Sequence, residues 1–358
     1  MLDILHRATA QLPEVEERPG QDEMTISIAR AIATGRHLVV QAGTGTGKTL
    51  GYLVPVILSR KRTVVATYTK TLQDQLAMND LPILADALVD VLPAPLEWAI
   101  LKGRQNYVCV QRVNEIGSST QDRLDLNNSS PGVNDEIARL REWSYETVTG
   151  DAGELSWTPS DAAWRRVSVG SDECPGASRC VVGEQCFAER ARRKATQADI
   201  VVVNTHLYGL HVAGGGNLLP EHEVVIFDEA HQLEDVVSST IGVEIGPNQV
   251  SNVAVAIRSI AHDDHLQTQF SDSAVRLRDS LVAYFGKQVA QPIPDEIRST
   301  LLDIRLHIDT ALSTLRAIES NDESVRQRKL RAQQLSTRLA ETIDFCLGTL
   351  TGHVVFVS

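Results

Sequence analysis

The segment Ala42-Gly-Thr-Gly-Thr-Gly-Lys-Thr49 has the composition of a phosphate-binding loop. Successive glycines let backbone N–H groups turn inward around phosphate oxygens, and a helix N-terminus placed behind them adds its positive dipole end. On this reading Gly43, Thr44, Gly45, Thr46 and Gly47 form the cradle. Lys48 reaches the β- and γ-phosphates, and the Thr49 hydroxyl holds Mg²⁺. Ala42 stands where the strict pattern has glycine. A Gly/Thr loop that binds nothing has a similar composition. What argues against it is the flanking sequence, an apolar run before and a helical stretch after.

Phosphate chemistry needs a carboxylate centre as well, and Asp228-Glu-Ala-His231 ends the apolar run Val224-Val-Ile-Phe227. Asp228 is expected to hold Mg²⁺, and Glu229 to orient and deprotonate the attacking water. Four residues match by chance often; a strand in front and a phosphate loop upstream make the match meaningful. Asp228 as the start of a helix fits the same placement.

Five cysteines stand at 109, 174, 180, 186 and 346. Clustered thiols in a chain with no secretory stretch point to a metal centre rather than to disulfides. Five residues separate Cys174 from Cys180 and Cys180 from Cys186. Zinc sites use tighter gaps, so the spacing favours an iron–sulfur cluster and leaves zinc open. Cys346, beside Ile343 and Leu347, reads as core.

The elements that must carry these residues form an α/β pattern. His37–Ala42, Thr63–Tyr68, Trp98–Leu101, Asp199–Thr205 and Glu223–Asp228 have strand length and β-branched content. Helical stretches at Thr49–Ser59 and Thr71–Asp80 lie between the first of them, which implies a parallel sheet with helices on both faces. Pro55 should kink the first helix, because the Gly51 carbonyl loses its donor there. From Tyr107 to Gln197 strand signals vanish among turn-rich segments such as Asn127–Gly132. After His231, Ile297 to Ile318 and Leu330 to Leu347 repeat at helical spacing, with a shorter helix near Ala274–Tyr284. A last strand begins at His353.

Composition bounds the rest. The chain has 358 residues, 42% hydrophobic, 22% charged and 4% aromatic, with a net charge of −12. That excludes wholesale disorder and argues against binding nucleic acid by bulk electrostatics. No apolar run suits a membrane span, and the expected setting is the cytoplasm. Between Trp164 and Gln197 the balance is locally basic, through Arg165, Arg166, Arg179, Arg190, Arg192, Arg193 and Lys194. These read either as a phosphate grip or as a solvated face. Arg326, Arg328, Lys329 and Arg331 read as the solvated face of their helix.

Together, and in order, these motifs resemble the DinG/XPD family of superfamily 2 iron–sulfur DNA helicases, on its bacterial DinG-like branch. Arg18-Pro-Gly-Gln21 looks like the family's adenine-recognising motif, with Gln21 on the adenine edge. Thr67-Tyr-Thr-Lys-Thr-Leu-Gln-Asp-Gln-Leu76 is similar to motif Ia, which touches the DNA backbone. Leu101-Lys-Gly-Arg-Gln-Asn-Tyr-Val-Cys109 matches the start of the cluster domain. The resemblance implies a 4Fe–4S cluster on Cys109, Cys174, Cys180 and Cys186, and a role for His231 in coupling the nucleotide to the motor. It also implies a RecA-like lobe at 1–106 and 199–232. An iron–sulfur insertion falls at 107–198, a helical Arch insertion at 233–350, and the start of a strand at 351–358. The family's second RecA-like lobe, with its arginines, is expected to be missing from these 358 residues. ATP hydrolysis coupled to translocation is therefore expected only with that lobe supplied. The implied activity is ATP-driven 5′→3′ translocation on single-stranded DNA, by a monomer, with branched DNA or RNA–DNA hybrids as substrates. The competing reading is a P-loop ATPase that is no helicase and uses a metal-stabilised binding module.

Overall fold

The computed structural model describes residues 1–10, 19–43, 45–116, 131–261, 263–348 and 353–358. They fall into two compact units, Met1–Gly103 with Ala188–Gly242, and Arg104–Phe187 with Val243–Ser358.

The first unit is built on four parallel strands. They are β1 (Thr63–Thr67), β2 (Trp98–Ile100), β3 (Ile200–Asn204) and β4 (Val224–Phe227), in the order β2-β3-β1-β4. Thr63 lies opposite Ile200 on one side and Val224 on the other. Every residue of β1 is buried, as a central parallel strand covered on both faces requires. Val65, Ile200 and Val202 pack against the helices Pro19–Thr34, Lys48–Ser59 and Leu81–Ala87. Val64, Ala66, Val201 and Val203 face the other way, onto Ala195 and Leu207 of the helices Phe187–Gln197 and Thr205–Ala213. The predicted alternation of strand and helix thus produces the predicted layers.

One strand expectation fails. His37–Ala42 forms no regular structure, and Val39 is 93% exposed. A strand exists only through its ladder, and among the described residues no neighbour pairs with this segment or with the outer edge of β4. The helix behind the loop forms as expected, over Lys48–Ser59, and continues through Pro55. The Thr25 hydroxyl donates to the Gly51 carbonyl at 3.0 Å, which satisfies the acceptor that Pro55 leaves without a donor. The stretch expected as one helix from Thr71 is a helix at Lys70–Gln75 followed by a π-helical turn, Leu76–Asp80.

In the second unit the long helices Pro247–Ala261, Asp264–Val282, Asp295–Ala317 and Glu323–Leu347 share one core, which includes Phe270, Leu277, Leu301, Ile304, Ile308 and Ile343. The sequence reading missed the first of these and shortened the second, although Val250, Val253, Ile257 and Ile260, and Leu266, Phe270, Ala274 and Leu277, recur at helical spacing. The terminal strand β6 (Val355–Val357) pairs antiparallel with β5 (Lys287–Val289). The strand expected from His353 thus finds its partner within the same unit. Lys287-Gln-Val289 places one buried residue in three positions, too little for a strand signal. The cysteine-bearing segment also belongs to this unit, whereas the helix Phe187–Gln197, read from sequence as part of the cysteine insertion, packs on the sheet.

Candidate nucleotide site and cysteine centre

Gly45 and Gly47 have φ of 79° and 75°, a region strained for any residue with a Cβ. Gly47 immediately precedes the helix that Lys48 begins. Its carbonyl accepts a hydrogen bond from Gln21 Nε2 at 2.7 Å, and Gln21 is buried. Gln21 therefore braces the loop. The Thr46 hydroxyl donates to the Gly43 carbonyl at 2.9 Å. Thr44 and Arg18 lie outside the described residues.

The carboxylate motif meets this loop. Lys48 Nζ lies 3.2 Å from Glu229 Oε1, and His231 Nδ1 lies 3.4 Å from Glu229 Oε2. Glu229 has a φ of 56°, a left-handed conformation that an ordinary L-residue holds at a cost of roughly 1–2 kcal/mol. Such strain persists where neighbouring structure fixes it, and here Asp228 beside it is engaged through both carboxylate oxygens. Asp228 Oδ1 accepts the Glu229 backbone N–H at 3.0 Å. Asp228 Oδ2 accepts the Tyr52 hydroxyl at 3.2 Å.

Tyr52 and Asp80 are residues that sequence reasoning missed. Burial, then the charge of Asp228, raise the Tyr52 phenol well above its ordinary value, so it remains a donor; it also lies beside the Thr49 hydroxyl. Burial, then Asp228, raise the Asp80 carboxyl to about 6. Tyr52 follows Thr49 by three positions, almost one helical turn, which is the one signal that could have found it. Asp80 reaches the site through the π-turn, which no spacing rule anticipates.

The four expected ligands all lie in the second unit. Cys109 caps the helix Val110–Glu115, while Cys174, Cys180 and Cys186 lie in the loop-rich stretch that follows. All four are free thiols, partly buried. Electrostatically Cys109 feels Cys174, and Cys180 feels Cys174 and Cys186. Gly183 permits the close approach between these loops, since a Cβ there would meet the Ala177 carbonyl oxygen at 2.2 Å. Burial pushes the Cys109 thiol up to about 11, opposed by the Arg112 backbone N–H and by the guanidiniums of Arg331 and Arg112. Burial raises Cys180 too, again opposed by Arg331. Among the described residues, no three His, Cys, Asp or Glu side chains are grouped tightly enough for a single metal ion. Four free thiols carried by separate loops of one unit have the donor chemistry of a thiolate-ligated group. Cys346 packs against the helical core, as its neighbours predict.

The expectation of a solvated face at 326–331 holds for exposed Arg326 and needs correction for Arg328 and Arg331. Arg328 and Arg331 are buried, and Arg331 pairs with buried Glu115. Lys329 Nζ donates to the Ile318 carbonyl at 2.7 Å, and Arg326 pairs with Glu323. The reason is that this helix is covered on its polar side as well as on its apolar side.

The family description DEAD/DEAH box helicase matches residues 21–155. A protein named ATP-dependent helicase DinG, from Mycobacterium tuberculosis, is 41% identical over 254 residues, which cover 68% of this chain and 38% of that one. ATP-dependent DNA helicase YoaA of Escherichia coli is 37% identical over 288 residues, covering 78% and 43%. A solved structure described as an XPD helicase aligns over 91% of this chain and 52% of its own, with a TM-score of 0.44 and 14% identity. The chain spans about two fifths of the length of the curated relatives it matches. With its glycine loop and its Asp-Glu-Ala-His motif joined through Lys48 and Glu229, the chain carries a DEAD/DEAH box helicase match over residues 21–155 and is similar to the relatives named DinG and YoaA.

Proposed function

We propose that this chain is the nucleotide-binding and cluster-bearing part of an ATP-dependent DNA helicase. The approach of Lys48 to Glu229 carries the reading, because it unites a phosphate cation with a candidate base across the whole first unit. The cradle of Gly43 to Gly47 takes the triphosphate, and Lys48 moves from the Glu229 carboxylate to the β- and γ-phosphates. Gln21 reads the adenine edge as well as bracing Gly47. Thr49 and Asp228 hold Mg²⁺, which when bound neutralises charge on the phosphate oxygens. Glu229, freed from Lys48, orients water and takes its proton, and His231 reports the state of Glu229. Cys109, Cys174, Cys180 and Cys186 hold a 4Fe–4S cluster, which supplies a cross-link among loops with little apolar packing of their own.

The partners are single-stranded DNA and branched DNA or RNA–DNA hybrids, gripped in part by the basic residues between Arg165 and Lys194, by a monomer moving 5′→3′. Work on DNA places it in the cytoplasm. Among the described residues no helix is long and apolar enough to cross a membrane. The decisive assay is ATP hydrolysis with and without single-stranded DNA, with a second lobe supplied in cis. Stimulation by DNA is expected. Equal rates would favour the P-loop ATPase that is no helicase.

Tyr52 provides a local test. Tyr52→Phe removes the donor to Asp228 and leaves the ring in place. A hydrogen bond of this kind contributes about 1 kcal/mol, so the Mg²⁺ requirement of the ATPase should rise roughly fivefold, with little change in melting temperature. An unchanged Mg²⁺ requirement would remove Tyr52 from the site.

A further inference from the structure

The helix Glu323–Leu347 has two loaded faces. Its apolar face, with Ala332, Leu339, Ala340 and Ile343, enters the helical core. Its polar face carries Gln327, Arg331, Gln334 and Arg338, spaced four, three and four apart, which is one stripe of a helix. All four residues of that stripe meet the cysteine-bearing segment. Gln327 Nε2 donates to the Arg179 carbonyl at 3.3 Å, and Arg179 Nη2 donates to Gln334 Oε1 at 3.2 Å. Arg338 lies 3.7 Å from Asp172. Arg331, 8% exposed, donates to Glu115 Oε2, and Glu115 is 6% exposed. The other oxygen of Glu115 accepts Gln111 Nε2 at 2.9 Å. Each contact adjoins a cysteine: Arg179 precedes Cys180, Asp172 lies two residues before Cys174, and Glu115 ends the helix that Cys109 opens.

A buried ion pair is by itself a weak source of stability, since desolvation offsets most of its attraction. Arg331, however, serves more than Glu115. It stands in the middle of a stripe that holds both the helix Cys109 opens and the loop before Cys180, two places far apart in sequence. We propose that Arg331 is a positioning residue of the cysteine centre, docking the last long helix onto the cysteine-bearing segment, so that metal occupancy and helix docking are coupled. The inference rests on reading the four cysteines as an iron–sulfur centre.

The test uses the full chain purified without oxygen. Arg331→Met paired with Glu115→Gln removes both charges and leaves neither buried alone. If the role of Arg331 were only to neutralise Glu115, this pair would restore parent behaviour. The expected result is instead a folded protein that holds iron against a chelator roughly 10- to 100-fold less well. Arg331→Lys, which keeps a cation for Glu115, should recover much of the iron retention, and Arg326→Met, an exposed change on the same helix, should alter nothing. A second measurement needs no variant. Stripping iron from the parent should open new protease cleavage within residues 323–347, and an identical digestion pattern before and after stripping overturns the coupling. A double variant with the parent's iron retention overturns the positioning role of Arg331. A parent chain that purifies without iron defeats the iron–sulfur reading itself, and this inference with it.

Discussion

Glu229→Gln is expected to bind ATP at least as tightly as the parent chain while hydrolysing it roughly 10²- to 10⁴-fold more slowly, the range a positioned general base contributes. The geometry explains both halves. Glu229 Oε1 lies 3.2 Å from Lys48 Nζ, so its carboxylate competes with phosphate for the one lysine of the loop. The amide of glutamine is a poorer partner for the ammonium, which leaves Lys48 freer for nucleotide, but it cannot accept a proton from water. Lys48→Ala is the opposite case. It deletes a charge-assisted contact to the phosphates worth about 1.5–3 kcal/mol, so affinity should fall roughly 10- to 100-fold. Fluorescent-nucleotide titration and phosphate release, the latter with a second lobe supplied in cis, separate the two variants. If Glu229→Gln hydrolyses ATP like the parent, the roles given to Asp228 and Glu229 are wrong.

The fold was legible where local pattern and tertiary context agree. Val-rich runs at Thr63–Thr67 and Ile200–Asn204 are buried on both faces, and a parallel sheet covered by helices is the solution such runs permit. His37–Ala42 has the same composition and forms no strand, because a strand's hydrogen bonds depend on a neighbour that composition does not encode. The loop, Asp228, Glu229 and His231 were readable because their chemistry demands particular residue types at fixed spacing. Tyr52 and Asp80 were not, since their proximity to Asp228 follows from how one helix faces one strand end and from a π-turn. The arginines at 328 and 331 misled for a related reason. Charge on a helix reads as a solvated face, and only the tertiary fold shows Glu115 waiting opposite. Sequence records which groups are charged; burial decides what the charge is for.

Serine at any one of Cys109, Cys174, Cys180 or Cys186 should cost most of the chain's iron, whereas Cys346→Ser should leave it intact. Protein purified without oxygen should be brown and carry about four irons per chain. The difference between the two classes follows from their surroundings. Cys346 packs against the helical core, with no other cysteine among the charges acting on it. Cys109 and Cys180 each feel other cysteines of the set, and each has Arg331 favouring its thiolate against the burial that raises it. A thiolate ligand is lost outright with serine, whose hydroxyl is a harder and far less acidic donor, so three remaining ligands must hold a centre suited to four. The loops between Cys174 and Cys186 contribute few buried apolar side chains, so loss of the centre should also loosen them, visible as faster amide exchange over 170–187. Stoichiometric zinc without iron in anaerobically prepared protein would overturn the cluster assignment. Iron retained in Cys180→Ser together with iron lost in Cys346→Ser would overturn the choice of ligands.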